Sequence, residues 1–129
     1  MSQNPFSHVD LRVRELAHAT QFYRVLLPAI GFTEHWAGEE WSGSSALGTF
    51  PSKPFFAFTE DPNHQPNGTR IAFWVNSPAE VDRVAEIILR AGAKNIEGPL
   101  FNPEYNETYY AVFFDDPSGN RLEVVHRQE

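Results

Sequence analysis

The chain of 129 residues contains no cysteine. That excludes a disulfide framework, a thiolate nucleophile and a cysteine-based metal centre. Positive charge is scarce: 10 Lys and Arg stand against 17 Asp and Glu, for a net charge of −7 and a pI near 5.1. A surface of that sign does not release counterions from a nucleic acid or settle on an anionic bilayer, so neither a nucleic-acid nor a membrane partner is expected. No apolar run approaches the length of a membrane span. The opening Met1-Ser2-Gln3-Asn4-Pro5 has neither the basic nor the apolar part of a signal peptide, so the expected location is the cytoplasm. Phosphate-cradling glycine loops, serine nucleophile elbows and paired-histidine protease motifs are absent as well. A covalent mechanism therefore has no candidate nucleophile with a flanking base.

What is present is aromatic. Eleven Phe, 3 Trp and 4 Tyr make up 14% of the chain, enough for a dense core and an apolar pocket together. Hydrophobic residues reach 41%, which argues for a packed globular domain rather than disorder.

Periodicity divides the chain into a repeated series. In Phe6 to Val13, Val9, Leu11 and Val13 alternate with His8, Asp10 and Arg12, the period of a half-buried strand. Leu16, Ala19, Phe22, Tyr23, Leu26, Leu27 and Ile30 then recur at helical spacing, with Pro28 shortening the last turn and Gly31 as a stop. Segments 33–36, 40–41, 47–50 and 54–59 predict three strands joined by Gly/Ser turns. The run Asp61-Pro-Asn-His-Gln-Pro-Asn-Gly68 reads as a linker. Beyond it, Ile71, Phe73 and Val75 alternate with Arg70, Ala72 and Trp74. Ser77-Pro78-Ala79-Glu80 supplies a helix start with a capping box, and Gly92 a stop. Strands are expected over 94–98, 107–114 and 121–126.

Strand, helix and three strands thus occur twice, in modules of about 5–60 and 69–127. Laid over one another, His8 falls on Arg70 and Phe56 on Glu123. A unit of this kind does not bury its own sheet face and packs against its copy or a partner chain. Near the end, Asp115-Asp-Pro-Ser-Gly-Asn120 is a tight turn between two apolar strands, and Glu123 is a lone carboxylate inside the second of them. A buried acid there is paired, bound to something, or turned to a cavity.

Three stretches carry a family resemblance: Ser7-His-Val-Asp-Leu-Arg-Val13 with Gln21-Phe-Tyr-Arg-Val-Leu26, then Arg70-Ile-Ala-Phe-Trp-Val75, then Tyr109 to Glu123 with its closing turn. The pattern resembles the vicinal oxygen chelate superfamily of glyoxalases, extradiol dioxygenases and bleomycin- or fosfomycin-resistance proteins. The resemblance implies an α+β fold, two tandem βαβββ modules forming a curved mixed sheet around a cup. In metal-using members, four positions line that cup, and here they become His8, Phe56, Arg70 and Glu123. Phe56 has no donor and Arg70 stays cationic. At ~4 Å and an effective dielectric of ~20, a unit charge facing a divalent cation costs several kcal/mol. No cofactor and no tight metal are therefore expected; His8 and Glu123 alone would hold a divalent ion only weakly. His35 and His64, in predicted loop or strand-edge positions, have no support as a third ligand.

The reading that follows is a protein binding a small organic molecule in an aromatic-lined cup, with Arg70, Trp74, Phe56, Tyr109 and Trp41 as ligand contacts. Arg70 is expected within hydrogen-bonding reach of Glu123, with His8 close by. The acidic net charge suits a cationic guest, whereas Arg70 argues for an anionic group. An alternative is a lyase or isomerase using Glu123 or His8 as base and Arg70 to stabilise an anion. A second alternative is a divergent metal-dependent glyoxalase or dioxygenase. His8 and Glu123 also have plain structural readings, as a neighbour's hydrogen-bond partner and as one half of an ion pair with Arg70 or Arg12. Unpaired strand edges in two small modules are compatible with a homodimer.

Overall fold

The structure is a computed structural model that describes residues 5–46 and 53–128. The chain divides into two compact units, 1–64 and 65–129. Each is an α+β unit with the order strand, helix, three strands, and each builds one four-stranded mixed sheet. No helix among the described residues is long and apolar enough to cross a membrane.

The first unit contains β1 (His8–Val13), α1 (Leu16–Ala29), β2 (Phe32–Ala37), β3 (Trp41–Ala46) and β4 (Phe55–Glu60). The sheet order is β1-β4-β3-β2, with β1 parallel to β4 and the remaining pairs antiparallel. Helix α1 buries Ala19, Phe22, Tyr23, Leu26 and Leu27. Its N-cap, Glu15, makes no side-chain cap bond. Instead Glu60, at the end of β4, accepts from the backbone N–H of Leu16 at 2.9 Å, so the sheet satisfies a helix-start donor.

The second strand expectation of this half needs correction. Ser42 to Ser45 were read as turn residues, but they form the inner strand β3 between β2 and β4. Serine and glycine have little strand propensity. Pairing on both edges, with Trp41↔Thr59 to Ser45↔Phe55 on one side and Ala37↔Ser42 to Phe32↔Ala46 on the other, overrides it. The strand proposed over 47–50 lies outside the described residues.

The second unit contains β5 (Arg70–Trp74), α2 (Pro78–Ala91), β6 (Lys94–Phe101), β7 (Tyr110–Asp115) and β8 (Arg121–His126), with sheet order β5-β8-β7-β6. The helix start follows half of the expected capping box, since the Glu80 carboxylate pairs with Arg83 at 2.8 Å instead of reaching back to Ser77. Ser77 Oγ accepts from the Glu80 N–H at 3.2 Å, Pro78 is the first helical residue, and Gly92 closes the helix at φ +91°. Strand β6 runs on past Gly98 and the cis Gly98–Pro99 bond to Phe101, further than the sequence pattern indicated.

The turn between β7 and β8 is organised by Asp116, which is fully buried. Its Oδ1 accepts from the N–H of Ser118 at 2.8 Å and of Asn120 at 2.9 Å, and its Oδ2 from Asn120 Nδ2 at 3.0 Å. Gly119 takes φ +87°, where a side chain would be strained. Asp116→Asn keeps two of the three acceptor bonds and sets two amide groups against each other. Its expected cost is about 1 kcal/mol, read as a lowered denaturant midpoint with an unchanged slope.

Candidate functional site

Register decides which side chains reach the helix-free face of each sheet. In the first unit, Tyr23 on α1 packs against Phe56 and Phe58 at 5.3 and 4.7 Å between ring centroids. Phe56 and Phe58 therefore face the helix, and Phe55, Ala57 and Thr59 face the other way. Phe56 does not line the open face, contrary to the sequence reading. The sheet pairs His8 with Phe55 and Asp10 with Ala57, as it pairs Arg70 with Arg121 and Ala72 with Glu123. The counterpart of Glu123 is thus Ala57, one residue on. The run Phe55-Phe-Ala-Phe58 is apolar on both faces and so carries no parity signal. A one-residue slip in it moves every side chain to the opposite face.

One cross-strand row explains the shape of the first face. Asp10 pairs with Ala57, Ala57 with Gly43, and Gly43 with Trp36. The two central positions are the smallest side chains available. The Trp36 indole lies over Gly43, and Ala57 floors an open cleft of about 350 Å³ whose sides include His8, Asp10, Trp36, Trp41 and Phe55. His8 lies flat on Phe55, 4.4 Å between centroids and 3° between planes, and its Nδ1 is 2.9 Å from Ser7 Oγ. Trp36 meets both Trp41 and Phe55 edge-on, each at 5.2 Å, with interplanar angles of 62° and 73°. Trp36 is pinned by its Nε1–H, which donates to Ser45 Oγ at 3.0 Å. A methyl group at Gly43 would stand 2.5 Å from the Trp36 ring, so glycine there is what lets the indole lie across the strand.

The matching row of the second unit is filled. Ala72 pairs with Glu123 and Glu123 with Phe113, so a carboxylate and a benzyl ring occupy the places of Ala57 and Gly43. Glu123 is 1% exposed. Its Oε1 takes Arg70 Nε at 3.2 Å, and its Oε2 accepts from the Tyr109 hydroxyl. The Arg70 guanidinium also lies over the Phe113 ring, 5.2 Å from its centroid. Tyr109 packs on the buried cluster of Ala111, Phe113 and Val125 and against Tyr105 at 4.9 Å. Tyr110 points the other way and donates to Asp82 on α2 at 2.7 Å. The structure therefore brings Arg70, Glu123 and Tyr109 together. Trp74 stays 54% exposed, with Arg127 stacked over its ring at 4.3 Å. Trp41 and His8 belong to the cleft of the first unit. Trp36 is central to that cleft, and Asp10 was not singled out from the sequence at all. The alternation that places Asp10 beside His8 was its only signal.

Burial pushes the Tyr109 phenol up to about 12, and the bond to Glu123 and that group's charge act in the same direction, against a smaller pull from Arg70. Tyr109 is thus the proton donor of the pair. Its folded value lies above the ordinary one near 10. Its contribution to stability is whole below pH 10 and is lost as pH rises through about 12. In a titration at 295 nm, wild type minus Tyr109→Phe is expected to show one ionisation near 12, which Glu123→Gln moves down towards 10. A difference midpoint at the ordinary tyrosine value would contradict the assignment.

The other histidines lie elsewhere. His35 Nδ1 is 2.6 Å from Ser44 Oγ, and burial with the nearby Arg24 charge holds its pKa below the usual range. His18 pairs with Glu15 at 2.9 Å, and His126 Nδ1 lies 3.0 Å from the Val75 carbonyl. Among the described residues, no three His, Cys, Asp or Glu side chains are grouped so as to hold a metal ion.

A family model described as the glyoxalase/bleomycin resistance protein/dioxygenase superfamily matches residues 6–124. Among solved structures, a glyoxalase/bleomycin resistance protein from Albidiferax ferrireducens T118 is 27% identical, with a TM-score of 0.76 over 97% of this chain and 100% of that one. A putative glyoxalase from Bacillus halodurans is 22% identical, with a TM-score of 0.71 over 97% of each chain. The fosfomycin resistance protein FosX from Mesorhizobium loti is 19% identical, with a TM-score of 0.67 over 99% of this chain and 95% of that one. No curated protein matches the chain.

Proposed function

The chain belongs to the glyoxalase/bleomycin resistance protein/dioxygenase superfamily, and we propose that its own role is to bind a small organic molecule without a tightly held metal. The observation that carries this is the cleft of the first unit. Its volume of about 350 Å³ falls within the range of small-ligand sites, and its aromatic sides over a small-residue floor suit a flat or compact guest. Trp36 is held by Ser45 and His8 by Phe55, so the sides are largely set before a ligand arrives.

The metal half of the proposal rests on donor chemistry. The superfamily's ligand positions carry His8, Ala57, Arg70 and Glu123 here. Ala57 has no donor atom. Arg70 stands on Glu123 where a metal would need a free carboxylate, and it cannot give up its charge. These residues do not fit a resident metal ion.

A second reading has one observation in its favour. A buried glutamate beside a half-exposed guanidinium and a tyrosine hydroxyl is also how a general base and an anion-stabilising group would be arranged. Both oxygens of Glu123 are engaged in this arrangement, which favours binding over proton abstraction. The relatives' names, glyoxalase on one side and fosfomycin resistance on the other, are compatible with either.

The test is a fragment screen by ligand-observed NMR, with hits mapped by tryptophan emission and by Trp41→Leu. Hits that quench tryptophan, weaken in Trp41→Leu and come back unchanged after incubation are the expected result. A library without a hit in the cleft would refute the proposal, and a hit chemically altered by wild type but not by Glu123→Gln would favour the second reading.

A further inference from the structure

The chemistry of the cleft narrows its ligand class, an inference that rests on the binding role just proposed. Three aromatic rings form a corner: Trp36 stands nearly perpendicular to Trp41 on one side and to Phe55 on the other, 5.2 Å from each. An aromatic ring is negative on its face and positive at its edge, so it is a ring face bordering the cleft that attracts an alkylated ammonium group; one face of Phe55 is already covered by His8, which leaves the larger part to the two indoles.

A carboxylate shares that space. Asp10 lines the cleft, with 44% of its side chain exposed. Its Oδ1 takes both recorded bonds, from Thr59 Oγ1 at 3.0 Å and from Arg12 at 3.0 Å. Oδ2 has no partner among the described residues. Arg12 offsets part of the Asp10 charge, so the rings supply the larger share of the attraction and Asp10 the rest. Among the described residues, no Lys or Arg side chain lines the cleft itself. The net charge of −7 adds a favourable long-range field for a cation. Arg70, the one residue that argued for an anionic guest, has its charge matched by Glu123 within the second unit.

We propose that the cleft floored by Ala57 is a site for a compact organic cation, with a substituted ammonium group in the corner of Trp36, Trp41 and Phe55 and Asp10 as its counter-charge. Neither the superfamily match nor the relatives' names specify such a ligand.

The test compares choline with 3,3-dimethylbutan-1-ol, its neutral carbon isostere, on the full chain. Binding is read from the indole N–H resonances of the three tryptophans. Choline is expected to bind about tenfold more tightly than the alcohol and to shift the Trp36 and Trp41 signals. Trp41→Leu is expected to remove most of that preference, and Asp10→Asn to weaken choline about threefold while leaving the alcohol unchanged. Both positions are exposed, so neither substitution threatens the fold, and the isostere comparison needs no variant at all. Equal affinity for the two probes, choline shifts confined to other residues, or no choline binding would each overturn the cation assignment. The wider fragment screen then separates the two claims: neutral or anionic hits in the same cleft leave the binding role standing without it.

Discussion

Arg70→Met is expected to destabilise the second unit by about 2–3 kcal/mol, a fall in Tm on the order of 10 °C. The substitution keeps an unbranched aliphatic side chain and removes the guanidinium, with its contacts to Glu123 and to the Phe113 ring. What remains is a carboxylate, 1% exposed, whose remaining partner is the Tyr109 hydroxyl. An unpaired buried charge is costly, and the figure is set below the usual range for a fully buried pair because Arg70 itself is 42% exposed and water reaches the gap. The reverse deletion is milder. Glu123→Gln keeps an acceptor for Tyr109, and the freed Arg70 rehydrates, so a loss of about 1 kcal/mol is expected. The order of the two is the diagnostic part. Replacing both residues by Met removes the buried charge with its partner and is expected to recover most of the Arg70→Met loss. Equal losses for the two single variants, or a double variant as unstable as their sum, would mean that the pair is a surface contact.

Gly43→Ala is the second large effect. The new methyl group would meet the Trp36 ring at 2.5 Å, far inside van der Waals contact, so the indole must swing away. The move breaks its bond to Ser45 and displaces one side of the cleft. Overpacking of this kind costs about 1–3 kcal/mol. The functional consequence is larger in proportion, since Trp36 is one wall of the cleft. Ligand affinity in the cleft is expected to fall at least about tenfold, as for the loss of a packed aromatic contact. Tryptophan emission should shift to the red as Trp36 leaves its packed position. An unchanged spectrum with intact ligand binding would show that the row Asp10, Ala57, Gly43, Trp36 does not shape the site.

Both results bear on how far the sequence discloses this protein. The second unit was largely legible. Alternation in Arg70 to Val75, the Ser77-Pro78-Glu80 cap and the Asp116 to Asn120 turn each carry a local signal, and each leads to the observed element. A carboxylate inside an apolar strand also announces itself, because it must find a partner, and Arg70 was expected within its reach, whereas the bond from Tyr109 was not. The first unit was harder for physical reasons. Ser42-Gly43-Ser44-Ser45 has the composition of a turn, and only its neighbours make it a strand. Phe55 to Phe58 has no alternation to fix its parity, so the register, and with it the choice between Phe56 and Ala57, came from pairing rather than from pattern. The cleft is the sum of those two features. Ala57 leaves a hollow beside the indole that Gly43 admits on the next strand, which no single stretch of sequence reveals.

The contrast between the two rows also frames the functional claim. Where the first unit has Ala57 and leaves space, the second has Glu123 and a closed set of polar contacts. One half offers room for a guest; the other neutralises the buried Glu123 with its own arginine and tyrosine.

The most direct test of that account is the metal content of tag-free protein after incubation with zinc, nickel, manganese and ferrous iron, each under argon, followed by dialysis and elemental mass spectrometry. The account predicts that no metal is retained near one ion per chain, and that Glu123→Gln behaves as wild type does. Retention near one ion per chain that disappears in Glu123→Gln would contradict it, by showing that Glu123 yields its arginine to a metal and that the protein works as a metal-dependent member of its superfamily.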